Sequence, residues 1–178
     1  MIARQLTGVV LAGGRSTRMG RDKARLVVDG LPLWRRQTLV LKAAGAATVL
    51  VALRTRQRSL GRPRHEIRDT RSDAGPMAGI HAALQAARTD WIATLAVDLP
   101  QLPPTWFRLL ARRCGERSGA MARTAAGFEP LAAIYPRAAL PVFSRHLARG
   151  QFSLQQLAAE LVRRRLLVPI EVPARQLR

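Results

Sequence analysis

Short apolar runs alternate with longer stretches of mixed polarity along the chain. The apolar runs predict strands over residues 7–12, 48–53, 65–68, 91–97, 119–124, 130–135 and 165–172, and a short extended piece with a turn over residues 26–30. The mixed stretches predict helices over residues 32–44, 75–88, 103–113 and 153–164, with another inside 136–150. Wholly apolar strands are typical of a parallel sheet covered on both faces. Because strands and helices alternate, we expect one Rossmann-like, three-layer α/β/α domain over residues 1–178, with a mainly parallel sheet.

The ends of the predicted strands carry most of the candidate chemistry. Open α/β sheets bind ligands at the carboxyl ends of their strands, where the strand order reverses. Three features follow directly after predicted strands: the loop after Ala12, Asp69 and Asp98. We therefore expect them to lie around one crevice.

The loop after the first strand is the most specific of these features. It belongs to the segment LAGGRSTRMGRDK, residues 11–23. Gly13 and Gly14 allow a sharp turn and a close approach of the backbone to a ligand. Three cations follow them, and these are Arg15, Arg18 and Lys23. The segment matches neither the P-loop nor the GxGxxG pattern, so it predicts a triphosphate grip of a different kind.

Two carboxylates and a second glycine-rich segment extend the candidate site. Asp98 suits Mg²⁺, which prefers oxygen ligands and bridges substrate phosphates; the alternative, which its position at a strand end disfavours, is that it caps the next turn. Asp69 can accept hydrogen bonds from guanine or from a ribose hydroxyl, or serve as a turn residue. The segment GPMAG, from Gly75 to Gly79, lets a substrate approach a helix N-terminus, or simply marks where a helix begins.

The charge of the chain is strongly positive. Its 178 residues include 30 Lys and Arg against 11 Asp and Glu, for a net charge of +19. Such a field attracts polyanions, whether small molecules or nucleic acid. The eight aromatic residues are scattered, however, and no nucleic-acid-binding module is recognisable. We expect no nucleic-acid partner, although charge alone does not decide this.

Cysteine content and hydropathy favour a cytoplasmic protein. The one cysteine, Cys114, cannot form an intramolecular disulfide or a multi-thiolate metal site. Its neighbours Arg112 and Arg113 could lower its pKa, but a structural role is favoured over a nucleophilic one. No signal-peptide pattern and no apolar run long enough to span a membrane is present.

Together these motifs resemble the molybdenum cofactor guanylyltransferase family, within the nucleotide-diphospho-sugar transferase-like fold. The resemblance covers roughly residues 6 to 160 and is carried by five segments. They are LAGGRSTRMGRDK, Leu31–Trp34, GPMAG at 75–79, VDLP at 97–100 and FEPLAAIY at 128–135, with Asp69 between them. It implies transfer of GMP from GTP to the phosphate of molybdenum-molybdopterin, with Mg²⁺ as cofactor.

The resemblance also implies roles for individual residues. The guanine nucleotide would lie against Leu11, Ala12, Gly13, Gly14, Asp69 and Gly75. Lys23 and Arg18 would stabilise charge on the phosphates, and Asp98 would hold Mg²⁺. Molybdoenzymes or cofactor-delivery proteins are possible partners.

Two departures from the family pattern leave alternatives open. The family commonly has an Asn at the end of the second strand, where this chain has Val51–Leu53. It also usually has an Asn-x-Asn-Thr-Pro segment near its end, where this chain has EVPAR at residues 171–175. The alternatives are a cytidylyltransferase, a sugar-phosphate nucleotidyltransferase or a non-catalytic nucleotide- or cofactor-binding homologue.

Overall fold

A computed structural model describes residues 6–13, 22–61, 65–69, 71 and 73–173 of the protein. The strands are β1 (Leu6–Leu11), β2 (Val27–Val28), β3 (Leu31–Pro32), β4 (Thr48–Leu53), β5 (Glu66–Arg68), β6 (Trp91–Ala96), β7 (Gly119–Thr124), β8 (Gly127–Phe128), β9 (Ile134–Pro136) and β10 (Leu167–Glu171). The α-helices are α1 (Leu33–Ala43), α2 (Pro76–Ala86), α3 (Pro104–Ala111), α4 (Leu140–Ala148) and α5 (Leu154–Arg163). Short 3₁₀ turns lie at Lys23–Arg25 and Arg137–Ala139.

The central sheet confirms the expected α/β architecture. In the described part of the chain its order is β10-β7-β9-β6-β1-β4-β5, and β8 pairs with the outer part of β7. The pairs β1–β4, β1–β6, β4–β5 and β7–β10 are parallel, whereas β9 runs antiparallel to both neighbours. The next strand of this sheet along the chain, β4, lies on one side of β1, and β6 lies on the other. The order therefore reverses at β1, which is where such sheets bind ligands.

Two apolar layers cover the faces of the sheet. One includes Val10, Leu95 and Leu41 of α1 with Phe107 of α3, and the other includes Val9 with residues of α2, α4 and α5. Successive β1 residues alternate between these layers because side chains of a strand point to opposite faces. A continuously apolar strand is thus required at β1, as the sequence predicted. No helix in the described residues is long and apolar enough to cross a membrane.

The structure differs from the predicted elements at β8, which the sequence did not predict, and in two other segments. The predicted strand over residues 130–135 is a turn up to Ala133, and β9 begins only at Ile134. Pro130 lacks an N–H for a ladder, and the Thr94 side chain accepts the hydrogen bond from Ala133 N at 3.3 Å. Residues 27–32 form the small antiparallel hairpin β2–β3 around a turn at Asp29, where the sequence predicted only an extended piece with a turn.

Candidate active site

A cleft of ≈ 400 Å³ opens at the carboxyl ends of the central parallel strands. The segments after β1, β4, β5 and β6 contribute to its walls, together with the start of α2 and the turn before β9. Seven of the predicted site residues line it, and these are Leu11, Ala12, Gly13, Lys23, Asp69, Gly75 and Asp98. The sheet thus brings together groups that lie up to 87 positions apart in the chain. Gly14, Arg15 and Arg18 lie outside the described residues.

The far end of the first loop is fixed by a buried glutamine that the sequence did not single out. Gln57 Nε2 donates to Ala12 O at 3.0 Å and to Asp22 Oδ2 at 2.8 Å. Its Oε1 accepts from Arg54 N at 3.1 Å. One side chain therefore ties together the end of β1, the end of the loop and the end of β4.

Lys23 follows directly from this fixed point. Asp22 caps the 3₁₀ turn Lys23–Arg25 by accepting a hydrogen bond from Ala24 N at 3.1 Å. Lys23 itself is exposed and lines the cleft, and no hydrogen bond or ion pair joins its side chain to another described residue. The turn that carries Lys23 is therefore held in place, while the lysine ammonium remains available for an anion.

Asp98 lies two residues beyond the end of β6, on the other side of β1. Its side chain is exposed in the cleft and has no hydrogen bond or ion pair with any described residue. The sequence indicated a lone carboxylate here, but Glu129 is close enough for the two charges to interact. Burial raises the pKa of Glu129, and the negative charge of Asp98 adds to this rise, while a hydrogen bond from Leu131 N opposes it.

Asp69 has a structural role, which is one of the two that the sequence left open. It is buried, with 6% of its surface exposed, and its Oδ1 accepts from Thr55 N at 2.9 Å and Thr55 Oγ1 at 3.0 Å. It therefore holds the segment after β4 against the end of β5. Its second carboxylate oxygen has no partner in the described part of the chain, and the residue lines the cleft.

The N-terminus of α2 closes one side of the cleft. Gly75 precedes the helix with φ of 57°, a left-handed conformation that favours glycine, and Pro76 occupies the first turn. A Cβ on Gly79 would lie 3.4 Å from Ala52 Cβ and 3.5 Å from Leu11 Cδ2. The small residue lets the first turn of α2 pack closely on the ends of β1 and β4.

The residues that sequence reasoning missed share one property. Arg54, Gln57 and Glu129 all lie in connections between elements. Arg54 and Gln57 belong to the run RTRQR, in which alternate residues are Arg. Glu129 belongs to the recognised FEPLAAIY segment, and that membership was the available signal.

Cys114 lies away from the cleft and packs against the apolar layer that contains α1 and α3. The neighbouring arginines do not lower its pKa, contrary to that option from the sequence. Burial raises the pKa of the thiol to about 12, and Sγ donates toward Leu110 O at 3.5 Å. The structural role predicted for this cysteine is the one its surroundings support.

Comparison with known proteins agrees with this arrangement. Residues 8–165 match the model of the MobA-like NTP transferase domain. A probable molybdenum cofactor guanylyltransferase from Opitutus terrae is 48% identical over 96% of this chain and 86% of its own length. The chain belongs to the molybdenum cofactor guanylyltransferase family.

More distant relatives support the family and the fold. The molybdenum cofactor guanylyltransferase of Serratia proteamaculans is 31% identical over 84% of this chain and 77% of its own length. The crystal structure of molybdopterin-guanine dinucleotide biosynthesis protein A from Archaeoglobus fulgidus has a TM-score of 0.72 at 23% identity. That alignment covers 97% of this chain and 85% of the other, and at this identity it shows a shared fold.

Proposed function

We propose that this protein transfers GMP from GTP to the terminal phosphate of molybdenum-molybdopterin, giving molybdopterin guanine dinucleotide and pyrophosphate. Family membership supports the reaction. The observation that carries it in this chain is the cleft itself, in which Lys23 and Asp98 face the same space without a partner among the described residues. A cation and a carboxylate that neither pair with each other nor with neighbours are suited to a triphosphate and its metal ion.

Asp98 has the features of a Mg²⁺ ligand. Mg²⁺ usually binds one or two carboxylates and completes its shell with water and substrate phosphates. In the described residues no group of three or more His, Cys, Asp or Glu gathers as a metal cage, so the site would be of this open kind. Bound there, Mg²⁺ would neutralise charge on the phosphate oxygens.

The protein's own part in the reaction is positioning and electrostatic stabilisation. An oxygen of the acceptor phosphate attacks the α-phosphorus in line, the bond to the β-phosphate oxygen breaks, and pyrophosphate leaves. Lys23 stabilises the negative charge that the leaving group acquires. We propose that Arg18, which lies outside the described residues, assists Lys23, and that the segment from Leu11 to Gly14 and Asp69 hold the nucleoside.

The remaining expectations about surroundings are also proposals. A net charge of +19 suits two polyanionic substrates and accelerates their association. Residues 1–178 acting as one nucleotidyltransferase domain, a cytoplasmic location, and contacts with molybdoenzymes or cofactor-delivery proteins all stay predictions.

The test is a reconstituted reaction with purified protein, Mg²⁺ and molybdenum-molybdopterin. GTP is expected to give pyrophosphate and the guanine dinucleotide, identified by mass, whereas CTP and ATP give little product. Addition of excess EDTA is expected to stop the reaction. Preferential use of CTP would indicate a cytidylyltransferase, and tight GTP binding without pyrophosphate release would indicate a non-catalytic homologue. Either result would overturn the proposal.

A further inference from the structure

Arg54 is the second cationic side chain that lines the cleft in the described part of the chain. It follows directly after β4, on the opposite side of β1 from Asp98. A Cβ on Gly13 would lie 3.1 Å from Arg54 Cγ, so the arginine stem packs against the end of β1. This packing holds the guanidinium at the floor of the cleft.

The backbone and side chain of Arg54 have separate surroundings. Its N donates to Gln57 Oε1, and its O accepts from Gln57 N at 3.0 Å and from Arg68 at 3.2 Å. The guanidinium, in contrast, forms no hydrogen bond or ion pair with any described residue. The backbone of Arg54 therefore contributes to the fold, while its guanidinium has no partner among the described residues.

The guanidinium is also unusual in its burial. Its Nε is one of three buried side-chain nitrogen or oxygen atoms in the described residues that lack a hydrogen-bond partner. The other two belong to Gln37 and His146, which do not line the cleft. An unsatisfied buried donor on a charged group is costly. The terminal nitrogens also lack a partner among the described residues, so a ligand in the cleft can offer them acceptors.

The sheet order indicates which part of a nucleotide reaches Arg54. If the α-phosphate lies at Asp98, as the proposed function requires, the nucleoside extends away from β6. Neighbouring strands are about 4.8 Å apart, so the end of β4 lies about 10 Å across the sheet from the end of β6. The base is the part of GTP that lies at such a distance from its reacting phosphorus, and Asp69 lies beside Arg54 on the same side.

We propose that Arg54 recognises guanine through the O6 and N7 atoms of its Hoogsteen edge. This inference rests on the proposed function and assigns base selection to a residue outside the recognised motifs. Guanine presents two adjacent acceptors there, which match the fork of a guanidinium. Adenine and cytosine each present an amino group at the corresponding exocyclic position, and a donor facing Arg54 would be unpaired.

An arginine at this position could bind either the base or a phosphate. A nucleotide analogue that changes only the base distinguishes these two functions by its affinity. 7-Deaza-GTP lacks only the N7 acceptor and keeps the triphosphate. Calorimetry with Mg²⁺ would measure GTP, 7-deaza-GTP and ATP binding to the wild-type protein and to Arg54→Met and Arg54→Lys. Arg56→Met, an exposed position in the same turn that does not line the cleft, is the matched control for the loss of one charge.

The wild-type protein is expected to bind 7-deaza-GTP about tenfold more weakly than GTP. Arg54→Met should weaken GTP binding ten- to hundredfold and bind the two nucleotides almost equally. Arg54→Lys should recover only part of the loss, since a point charge lacks the fork, and Arg56→Met should behave as wild type.

Two results would overturn the inference and separate it from the proposed function. If Arg54→Met weakens the binding of GTP and of 7-deaza-GTP by the same factor and lysine restores both, Arg54 holds phosphate, and the proposed guanylyl transfer stands. If the wild-type protein bound GTP no better than ATP, both the inference and the proposed function would fail. Thermal unfolding of each variant checks that the fold is intact.

Discussion

Charged side chains are paired with one another in the contact between α4 and α5, whereas several of those that line the cleft have no partner among the described residues. Between the two helices, Glu160 accepts a hydrogen bond from Arg164 Nε at 2.8 Å and also pairs with Arg145, and its Oε2 lies 2.7 Å from His146 Nε2. In the cleft, the side chains of Lys23 and Asp98 have no such partner among the described residues.

The difference separates charges that hold the fold from charges available to a ligand. The pKa of Glu160 is lowered to about 2, chiefly by its hydrogen bond with His146 and then by the one with Arg164. Such mutual satisfaction makes a structural cluster, whose removal should affect stability more than activity. Charges that face a cleft without partners should show the reverse.

Substitution of Asp98 should give the largest effect on activity. Asp98→Asn removes the charge that suits Mg²⁺ while keeping shape, so we expect pyrophosphate release to fall about 100- to 1000-fold. Because the carboxylate holds no described residue in place, the melting temperature should change little. Asp29→Asn is the control, since Asp29 is exposed and pairs with Arg36 at the surface. An active D98N protein, or one that unfolds, would contradict the comparison.

Gln57 tests an intermediate case, a neutral side chain that holds the fold together beside the cleft. Gln57→Leu leaves Ala12 O, Asp22 Oδ2 and Arg54 N without the bonds that Gln57 supplies, at a cost of about 2 kcal/mol in the free energy of unfolding. Since Asp22 caps the turn that carries Lys23, KM for GTP should rise as well. Urea unfolding and steady-state kinetics measure the two effects, with the exposed Gln85→Leu as control. A change in stability without a change in KM would make Gln57 purely structural.

The fold was more predictable than the site because its signals are local. The continuous apolar runs of β1, β4 and β6 and the glycine and proline at the start of α2 specify their elements directly. The boundary of β9 was missed because Thr94, forty residues upstream, replaces part of the backbone ladder there. A contact between such distant residues cannot be predicted from the pattern of apolar and polar residues around β9.

The site was predicted only in part for the same reason. Positions such as Asp69 and Asp98 follow directly from strand ends, so the topology alone brings them to the cleft. Gln57 and Arg54 depend on how the turn after β4 folds back onto β1 and Asp22. The sequence RTRQR does not indicate which of its arginines packs against Gly13.

The contribution of Glu160 to stability between α4 and α5 is expected to depend on pH. Its pKa is lowered from 4.5 to about 2 in the folded protein, so its stabilising contribution is complete above about pH 4.5 and is lost as the pH falls toward 2. With 18% of the side chain exposed, we expect about 1 to 2 kcal/mol from it at pH 7 after solvent screening.

The variant Glu160→Gln should lose this contribution and flatten the stability profile between pH 4.5 and 2. Urea unfolding across that range measures it, and Glu116→Gln at an exposed position is the control. Guanylyl transfer at pH 7 should stay within about twofold of wild type. An unchanged acid profile would show that the cluster holds no net stability, and a large loss of activity would break the separation between the two regions.

Cys114 should give the smallest effect, because it belongs to neither kind of charged region. With a pKa of about 12, only about one thiol in ten thousand is ionised at pH 8, and the thiolate is the nucleophile. Iodoacetamide should therefore label the folded protein far more slowly than the protein unfolded in urea. Cys114→Ala should cost less than about 1 kcal/mol and keep activity within about twofold. Fast labelling of the folded protein together with loss of GTP binding would contradict this prediction. It would show that the thiol after α3 is reactive and affects nucleotide binding.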